Sequence, residues 1–330
     1  MNATQAGPFL HERWFVEQTP GNDWSFFFSP LPLALAAAMV LVAVLWRWAA
    51  LRLPSPELAV LRPLGRLAPW VPRLLGIHLG VALLALAASG AFVTPAVDEL
   101  DGATGTALLL SEAALGIWLV TGFRLRAAAA LTLALAPALA LFAGPIALLE
   151  CANLAAVAGF LVVLPPGLDA HGRVKPSAER LTLALFLLRM GVGVALISLA
   201  FTEKLTNPEM ATHTLSEFPP LDVFAWVGID VAPTTFVAVA GAVELLFGLL
   251  VLSGALPQGA VLVAMVPFNA TLALFGQTEL VGHLPVYGVF LALLVYGSDS
   301  ETAPLVRWLP RGLPLVSRRN LPAGAGSPTP

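Results

Sequence analysis

Cysteine and charged residues are both scarce in this chain. Among its 330 residues there is one cysteine, Cys151, and only 11% are charged. A single thiol excludes an internal disulfide, a Cys-x-x-Cys redox pair and a thiolate cluster built from this chain alone. If the protein takes part in disulfide chemistry, a partner protein must supply the other thiol.

Motifs of several enzyme and cofactor classes are also missing. The sequence has no Gly-rich phosphate loop and no His-Glu-x-x-His zinc motif. Two haem ligands must lie at one depth, but His78 is predicted near one membrane surface and His283 near the other. We expect no haem, flavin or metal ion. The net charge of −3 gives no reason to expect a nucleic-acid partner.

Apolar residues dominate instead. They make up 58% of the chain, against about 45–50% in soluble domains, and the mean hydropathy is +0.85. A membrane-spanning helix needs about 20 apolar residues. Runs near this length predict nine transmembrane helices, at 31–48, 73–93, 106–122, 126–142, 146–164, 181–200, 233–253, 257–274 and 281–297. We therefore expect an all-α integral membrane protein in a lipid bilayer.

Lysine and arginine concentrate on one side of the predicted helices. All of the 17 except Arg13, Arg189 and Lys204 fall in alternate loops on that side. The positive-inside rule places those loops in the cytoplasm. We expect a multi-pass protein of the bacterial cytoplasmic membrane, with its N-terminus outside and its C-terminus inside.

Two stretches of the chain repeat one pattern. Glu112, Gly116 and Gly122 have the same spacing as Glu244, Gly248 and Gly254, namely Glu-x3-Gly-x5-Gly. Further features match in the same order: Gly80–Ala87 with Gly193–Ala200, Pro137 with Pro267, Glu150 with Glu279, and Gly159 with Gly288. Both stretches start on the cytoplasmic side. They are therefore predicted to be parallel repeats related by an axis along the membrane normal.

The repeat divides the chain into six segments. We expect an extra N-terminal helix followed by two parallel four-helix modules. The predicted segments are a periplasmic N-terminal segment at 1–30, the first helix with a cytoplasmic interfacial segment at 31–72, the first module at 73–164, a cytoplasmic linker at 165–180, the second module at 181–297 and a disordered cytoplasmic tail at 298–330.

A second motif ends the first helix of the second module, reading Phe201-Thr-Glu-Lys204-Leu205. Four helices that carry this motif and the Glu-x3-Gly-x5-Gly motif resemble the DoxX/DoxD family of small bacterial membrane proteins, well over 181–297 and more faintly over 73–164. The resemblance implies a membrane component of a quinone-linked or thiol-linked redox system. If the chain is catalytic, it would be an oxidoreductase subunit that acts with a quinone and a partner protein.

The first module departs from this pattern. Its counterpart of the segment Phe201 to Leu205 is Ser-Gly-Ala-Phe-Val, with no lysine. Any site that depends on the motif is therefore expected in the second module.

Charged residues within the helices are the main candidates for a site. Each costs about 2.5–3.5 kcal/mol at the bilayer centre, so such residues usually pair inside a bundle. Arg189 lies about eight residues from the cytoplasmic end of its helix, and Glu244 about nine residues from the end of its own. We expect an ion pair between them, which either fixes helix packing or anchors a quinone headgroup.

Four further residues complete the candidate site. Glu279 and His283 are spaced i, i+4 and share a helix face; they either carry protons for a quinol or form a surface pair. Lys204 is predicted on the same outer side. Asn269 lies two residues beyond Pro267, where its amide would satisfy a carbonyl released by the kink. Lys204 and Asn269 are candidates for quinone binding with Arg189 and Glu244.

The corresponding carboxyl of the first module, Glu112, has no matching arginine. We expect it to be protonated, as unpaired buried carboxyls tend to be. We predict that the neutral Glu112 donates a hydrogen bond to a backbone carbonyl freed at Pro137. We favour this structural role over a role in proton relay.

Two other classes of function are compatible with the sequence. A transporter or channel for a small solute shares parallel repeats, Pro-interrupted helices and midplane charges. A water-filled path to both Glu112 and Glu244 would favour it, whereas a lipid-open groove at one depth would favour quinone. A non-catalytic scaffold would hold a partner through the loop 201–232, and its mark would be an apolar surface around Phe218, Phe224 and Trp226.

Overall fold

The computed structural model describes residues 22–94, 97, 100, 102–164, 176–275 and 277–307, without the side chains of residues 274–279 and 281. Within these ranges the chain forms helices and no strand. This confirms the predicted all-α class. Most of the predicted linker and residues 308–330 of the predicted tail lie outside the described residues. The first part of that tail, 298–307, contains a short helix at Ala303–Val306 with buried side chains, in contrast to the predicted disorder.

Fourteen α-helices are found in the described ranges. In chain order they are α1 Trp24–Phe27, α2 Pro30–Ala50, α3 Val71–Ala88, α4 Gly102–Thr121, α5 Leu125–Leu133, α6 Ala136–Glu150, α7 Ala152–Val163, α8 Ala178–Leu199, α9 Pro208–Glu217, α10 Val223–Trp226, α11 Pro233–Ser253, α12 Pro257–Phe275, α13 Gln277–Ser298 and α14 Ala303–Val306. Two other helical types join them: 3₁₀-helices at Ala59–Trp70 and Pro219–Leu221, and a π-helix at Ala200–Leu205.

Several of these helices are long and apolar enough to cross a bilayer. Five runs meet that test among the described residues: Pro30–Ala50, Ala59–Ala88, Gly102–Thr121, Ala178–Leu205 and Pro233–Ser253. The bent pair α5 and α6 gives a sixth if it counts as one span. α7 and the described apolar parts of α12 and α13 are shorter. Each predicted helix thus has a helical counterpart, but nine full spans are not confirmed.

One predicted helix, at 126–142, is broken. α5 ends at Leu133 and α6 begins at Ala136, with a bend of 44° between them. A second break inside α6 lies at Gly144, where φ is 82° and ψ is 173°, directly before Pro145. Proline lacks the N–H that a helix interior needs, and glycine reaches positive φ without a steric cost. The first bend lies inside the predicted helix at 126–142, whereas the break at Gly144 falls between that helix and the predicted helix at 146–164.

Helices of the two predicted modules pack in matching pairs. In the first module α3 packs on α4 and α5 packs on α7, while in the second α8 packs on α11 and α12 packs on α13. Between the modules, α3 packs on α13 and α8 packs on α7. The first helix of each module thus contacts the last helix of the other, as two repeats related by a two-fold axis would.

The first two helices of each module touch through glycines. A Cβ added at Gly80 would lie 2.6 Å from the carbonyl oxygen of Gly116, and one at Gly193 would lie 3.0 Å from that of Gly248. Small residues allow helix backbones to approach this closely in membranes. The repeated glycines of the sequence therefore mark the same helix contact in both modules.

Arginines gather at one end of the bundle, where they donate to the last carbonyls of neighbouring helices. These contacts are Arg307 with Ala50 of α2, Arg73 with Leu119 and Val120 of α4, Arg126 with Val162 of α7, and Arg47 with Ser253 of α11. The last carbonyls of a helix have no partner within it, and they carry the negative end of its dipole. We call this the arginine-rich end of the bundle.

The N-terminal helices pack against the second module. α2 packs along α11. At the end opposite the arginines, the rings of Trp24 and Phe27 lie 6.3 and 5.1 Å from the ring of Phe201 in the π-helix. The backbone N–H of Asp23 donates to the carbonyl of Thr206 at 2.6 Å. Residues 22–50 therefore support the segment that carries Lys204.

Replacing Gly80 with Ala tests the close helix contact. The new Cβ would meet a backbone oxygen that cannot move aside, and such overpacking costs about 1–3 kcal/mol. We expect a lower thermal midpoint in detergent. Gly159→Ala is the matched control, because its Cβ would meet only a side-chain atom of Leu187 at 3.5 Å. Equal midpoints for the two variants would contradict the contact.

Candidate functional site

An ion pair between Lys204 and Glu244 forms the charged centre of the second module. The Lys204 Nζ lies 3.2 Å from Oε2 of Glu244 and 3.7 Å from Oε2 of Glu203. The side chains of Lys204 and Glu244 are 17% and 22% exposed, whereas that of Glu203 is 4% exposed. One ammonium thus faces two carboxylates, and part of the cluster is accessible from outside the protein.

The π-helix after α8 positions this lysine. It holds the whole motif from Phe201 to Leu205, and such widened turns are frequent at functional sites. A Cβ added at Gly241 of α11 would lie 2.9 Å from the Leu205 side chain and 3.0 Å from the Cβ of Lys204. Because Gly241 has no side chain, the π-helix approaches α11 closely enough for Lys204 to reach Glu244.

The predicted ion pair between Arg189 and Glu244 is wrong. The Nη1 of Arg189, a side chain that is 2% exposed, lies 3.5 Å from the carbonyl oxygen of Leu252. Leu252 is eight residues beyond Glu244 on α11, or about 12 Å at 1.5 Å per residue. Arg189 therefore joins Arg47, which binds Ser253, in capping the end of α11.

Side-chain direction explains the error. The prediction compared the depths of two Cα atoms, but a helical side chain points back toward the N-terminus of its own helix. α8 begins at the arginine-rich end and α11 ends there, so Arg189 points toward that end and Glu244 points away from it. The same rule brings Lys204, farther along the chain, back onto Glu244.

The first module binds its matching carboxyl differently. Glu112 is fully buried, and its Oε1 and Oε2 lie 3.1 and 3.0 Å from the backbone N of Val93. Val93 has a φ of 61°, which is rare for a β-branched residue. The expected partner, a carbonyl freed at Pro137, is replaced by this N–H donor. Glu112 thus holds a tight turn directly after α3.

A common arrangement underlies the two carboxyl sites. In each module the glutamate on the second helix contacts a polar group from the segment that follows the first helix. Glu244 forms an ion pair with the ammonium of Lys204 in the second module, and Glu112 accepts a hydrogen bond from the backbone N–H of Val93 in the first. The first module, which lacks the lysine, satisfies its carboxyl with backbone alone.

Polar side chains connect the two sites across the module boundary. The Thr202 hydroxyl, in the π-helix, donates to Oε1 of Glu150 at 2.8 Å. The neighbouring Cys151 lies beside Thr94, which follows the turn held by Glu112. These residues were not among the predicted site residues, although the repeat had matched Glu150 with Glu279. The boundary between the two modules is therefore polar at the depth of Thr202 and Glu150.

The remaining predicted site residues lie on the last two long helices. The His283 ring packs edge-on against Phe268, with 4.9 Å between the ring centroids. The Glu279 side chain is outside the described residues, so its pairing with His283 stays a prediction. Asn269 is exposed and donates to the carbonyl of Met265 at 2.7 Å. That carbonyl differs from the one of Val263, which Pro267 leaves without its helical donor.

Metal ligands do not cluster in the part of the chain that is described. No group of three or more His, Cys, Asp or Glu side chains there is arranged to hold a metal ion. The charged centre around Lys204 includes one cation and two carboxylates.

Protein-family models, curated proteins and solved structures were compared with this chain, and none matches it. The resemblance to DoxX/DoxD proteins therefore depends on the residue motifs alone.

Replacing Arg189 with Leu tests its capping role. The variant would leave the part-buried carbonyl of Leu252, at the end of α11, without this donor, and an unsatisfied buried polar group costs about 1–3 kcal/mol. We expect a clearly lower thermal midpoint in detergent. Arg180→Gln, at an exposed position of the same helix, should leave the midpoint unchanged. An Arg189→Leu protein as stable as the parent would contradict the role.

Proposed function

We propose that this chain is a membrane subunit of a quinone-linked redox system, with the quinone or quinol headgroup held at Lys204 and Glu244. The observation that carries the proposal is an ion pair inside an apolar helix bundle that is still 17% and 22% exposed. Charged residues at membrane depth commonly mark substrate or proton pathways. An ion pair that served only to fix helix packing would gain no stability from being partly exposed.

The three charged groups match the needs of a quinone headgroup. The ammonium of Lys204 donates hydrogen bonds and suits a quinone carbonyl oxygen. The carboxylates of Glu244 and Glu203 accept hydrogen bonds from the two hydroxyls of a quinol. Oxidation of a quinol releases two protons and two electrons. Glu244 and Glu203 hold one proton each, and the electrons pass to the redox group of a partner protein.

Apolar surroundings would hold the ring and tail of such a ligand. Leu205 and Leu245, each next in sequence to a member of the ion pair, belong to one buried cluster with Ala200. Phe201 and Phe27 pack against that cluster. A lipophilic molecule with a small polar head therefore fits this part of the protein better than a fully hydrated solute.

The proposal includes the family and the topology. The motifs resemble those of DoxX/DoxD proteins, and the matching helix pairs support two parallel four-helix modules after an extra N-terminal helix. We place the arginine-rich end in the cytoplasm of a bacterium, following the positive-inside rule. The charged centre then lies in the outer half of the membrane.

A small-solute transporter is the second candidate. The break at Gly144 within α6 resembles the discontinuous helices that line transporter sites. Against it, the Glu112 side chain is fully buried, so a water-filled path does not reach both carboxyls in this conformation. The quinone proposal is therefore the better supported of the two.

A scaffold function is favoured by one further surface. Trp226 and Val227 are 61% and 70% exposed, and Ile229 is 51% exposed, while Phe224 packs on Phe236. Of the three aromatic residues expected to mark such a surface, Trp226 is exposed, whereas Phe218 and Phe224 are half-buried. The exposed apolar residues also give the redox proposal a place for the partner protein that accepts the electrons.

Quinone binding in nanodiscs tests the proposal. The probes are decylubiquinone and a short-chain menaquinone analogue, titrated into the parent protein, Lys204→Met and Glu244→Gln. We expect the parent to bind at least one of them, and each variant to weaken its binding by about tenfold, equivalent to about 1.4 kcal/mol.

Two exposed residues of α8 provide the charge-matched controls, Glu179→Gln and Arg180→Gln. Both should bind quinone like the parent. Thermal midpoints of all five proteins establish that the variants are folded. A folded parent that binds neither analogue, or binding unchanged by Lys204→Met and Glu244→Gln, contradicts the proposal.

A further inference from the structure

The connection between α2 and α3 is exposed on one side at the membrane boundary. α2 ends at Ala50 and α3 begins at Val71, both at the arginine-rich end. Leu51 and Val60 in this connection are 82% and 81% exposed, and Leu53 is 48% exposed. The candidate span that contains α3 begins at Ala59 by length and composition. The contacts of residues 58–68, however, are with the ends of α12 and α13. Residues 51–70 therefore run along this end of the bundle. We call residues 51–70 the shelf.

The shelf is firmly attached to the bundle. Oε1 of Gln258 accepts the backbone N–H of Leu58 at 2.7 Å, and the Tyr296 hydroxyl donates to the carbonyl of Ala68 at 3.3 Å. Gly65 is buried against Asp299, so closely that a Cβ would lie 2.9 Å from the Cβ of Asp299. The shelf therefore presents its outer side chains from a fixed backbone.

Its only carboxylate is turned inward. Glu57 is the single acidic residue from Arg47 to Arg73, and its side chain is 7% exposed. Its Oε1 accepts the backbone N–H groups of Gln258 and Gly259 at 2.7 and 3.2 Å, which caps the start of α12. Its Oε2 lies 3.6 Å from Arg307. The nearby Asp299 carboxylate accepts N–H groups of its own turn, from Glu301 and Thr302.

The exposed side of the shelf is therefore cationic. Arg62 and Arg66 are exposed, and within the described part of the chain no hydrogen bond or ion pair engages either guanidinium. The guanidinium of Arg52 lies 3.4 Å from the ring centroid of Trp48, which is 55% exposed. Tryptophan and arginine side by side are typical of the headgroup level of a membrane.

We infer that the shelf is a binding site for anionic phospholipids, with the lipid phosphate at Arg62 and Arg66 and the acyl chains along the exposed leucine and valine side chains. Guanidinium groups bind phosphate oxygens through paired hydrogen bonds, and basic segments beside a membrane helix attract anionic lipids. The exposed apolar residues distinguish a lipid from a free phosphate ion. This inference is independent of the quinone proposal.

Native mass spectrometry of the detergent-solubilised chain tests the inference. The probes are dioleoylphosphatidylglycerol, dioleoylphosphatidylcholine and inorganic phosphate. The test variant is Arg62→Gln with Arg66→Gln, and the control is Arg124→Gln with Arg180→Gln, two exposed arginines of the same end that lie outside the shelf. We expect the parent to bind phosphatidylglycerol about tenfold more tightly than phosphatidylcholine, and the test variant to lose that preference.

Three outcomes would overturn the inference. The first is equal affinity of the parent for both lipids. The second is an equal loss in the control variant, which would indicate a general charge effect. The third is displacement of phosphatidylglycerol by millimolar inorganic phosphate, which would identify a phosphate site without lipid specificity. Thermal midpoints confirm that both variants are folded.

Discussion

Inside a bilayer, a polar group must find its hydrogen-bond partner within the protein. This constraint explains the most specific contacts of the structure. Arginines of neighbouring elements bind the last carbonyls of α2, α4, α7 and α11 at one end of the bundle. In the bundle interior, Glu112 binds the N–H of Val93 and Glu244 binds the ammonium of Lys204. The concentration of positive charge on one side therefore also stabilises helix ends.

The two modules satisfy the same constraint with different chemistry. Glycine contacts bring the first two helices of each module together at matching positions. The carboxyl of Glu112, in the first module, is enclosed by a tight turn. Its donor is the backbone N–H of Val93, which is held in place by that turn. In the second module a flexible side chain supplies the donor, and the pair remains partly exposed. A ligand can compete for the second arrangement more easily than for the first, which supports a site in one module only.

The sequence predicted the positions of most helices well because each corresponds to a long apolar run, but it did not predict that the run at 126–142 is divided into α5 and α6. The motif that contains Lys204 also pointed to the second module, where the structure pairs Lys204 with Glu244. The prediction failed for Arg189, since equal depth along two antiparallel helices does not bring together side chains that point in opposite directions. No sequence pattern predicted that Val93 would adopt a positive φ and donate its backbone N–H to Glu112. The break at Gly144 falls where the prediction ended one helix at 142 and began the next at 146, whereas the bend after Leu133 was not predicted.

The central claim is that Glu244 is coupled to Lys204 and not to Arg189. A double-mutant cycle on the free energy of unfolding in detergent measures this coupling directly, using Glu244→Gln with Lys204→Met, and Glu244→Gln with Arg189→Leu. Residues in contact show coupling of about 0.5–3 kcal/mol, while distant residues add within about 0.5 kcal/mol. We expect a coupling of about 0.5–3 kcal/mol between Glu244 and Lys204, and additive effects for Glu244 and Arg189. Additivity for Lys204 together with strong coupling for Arg189 would contradict the account.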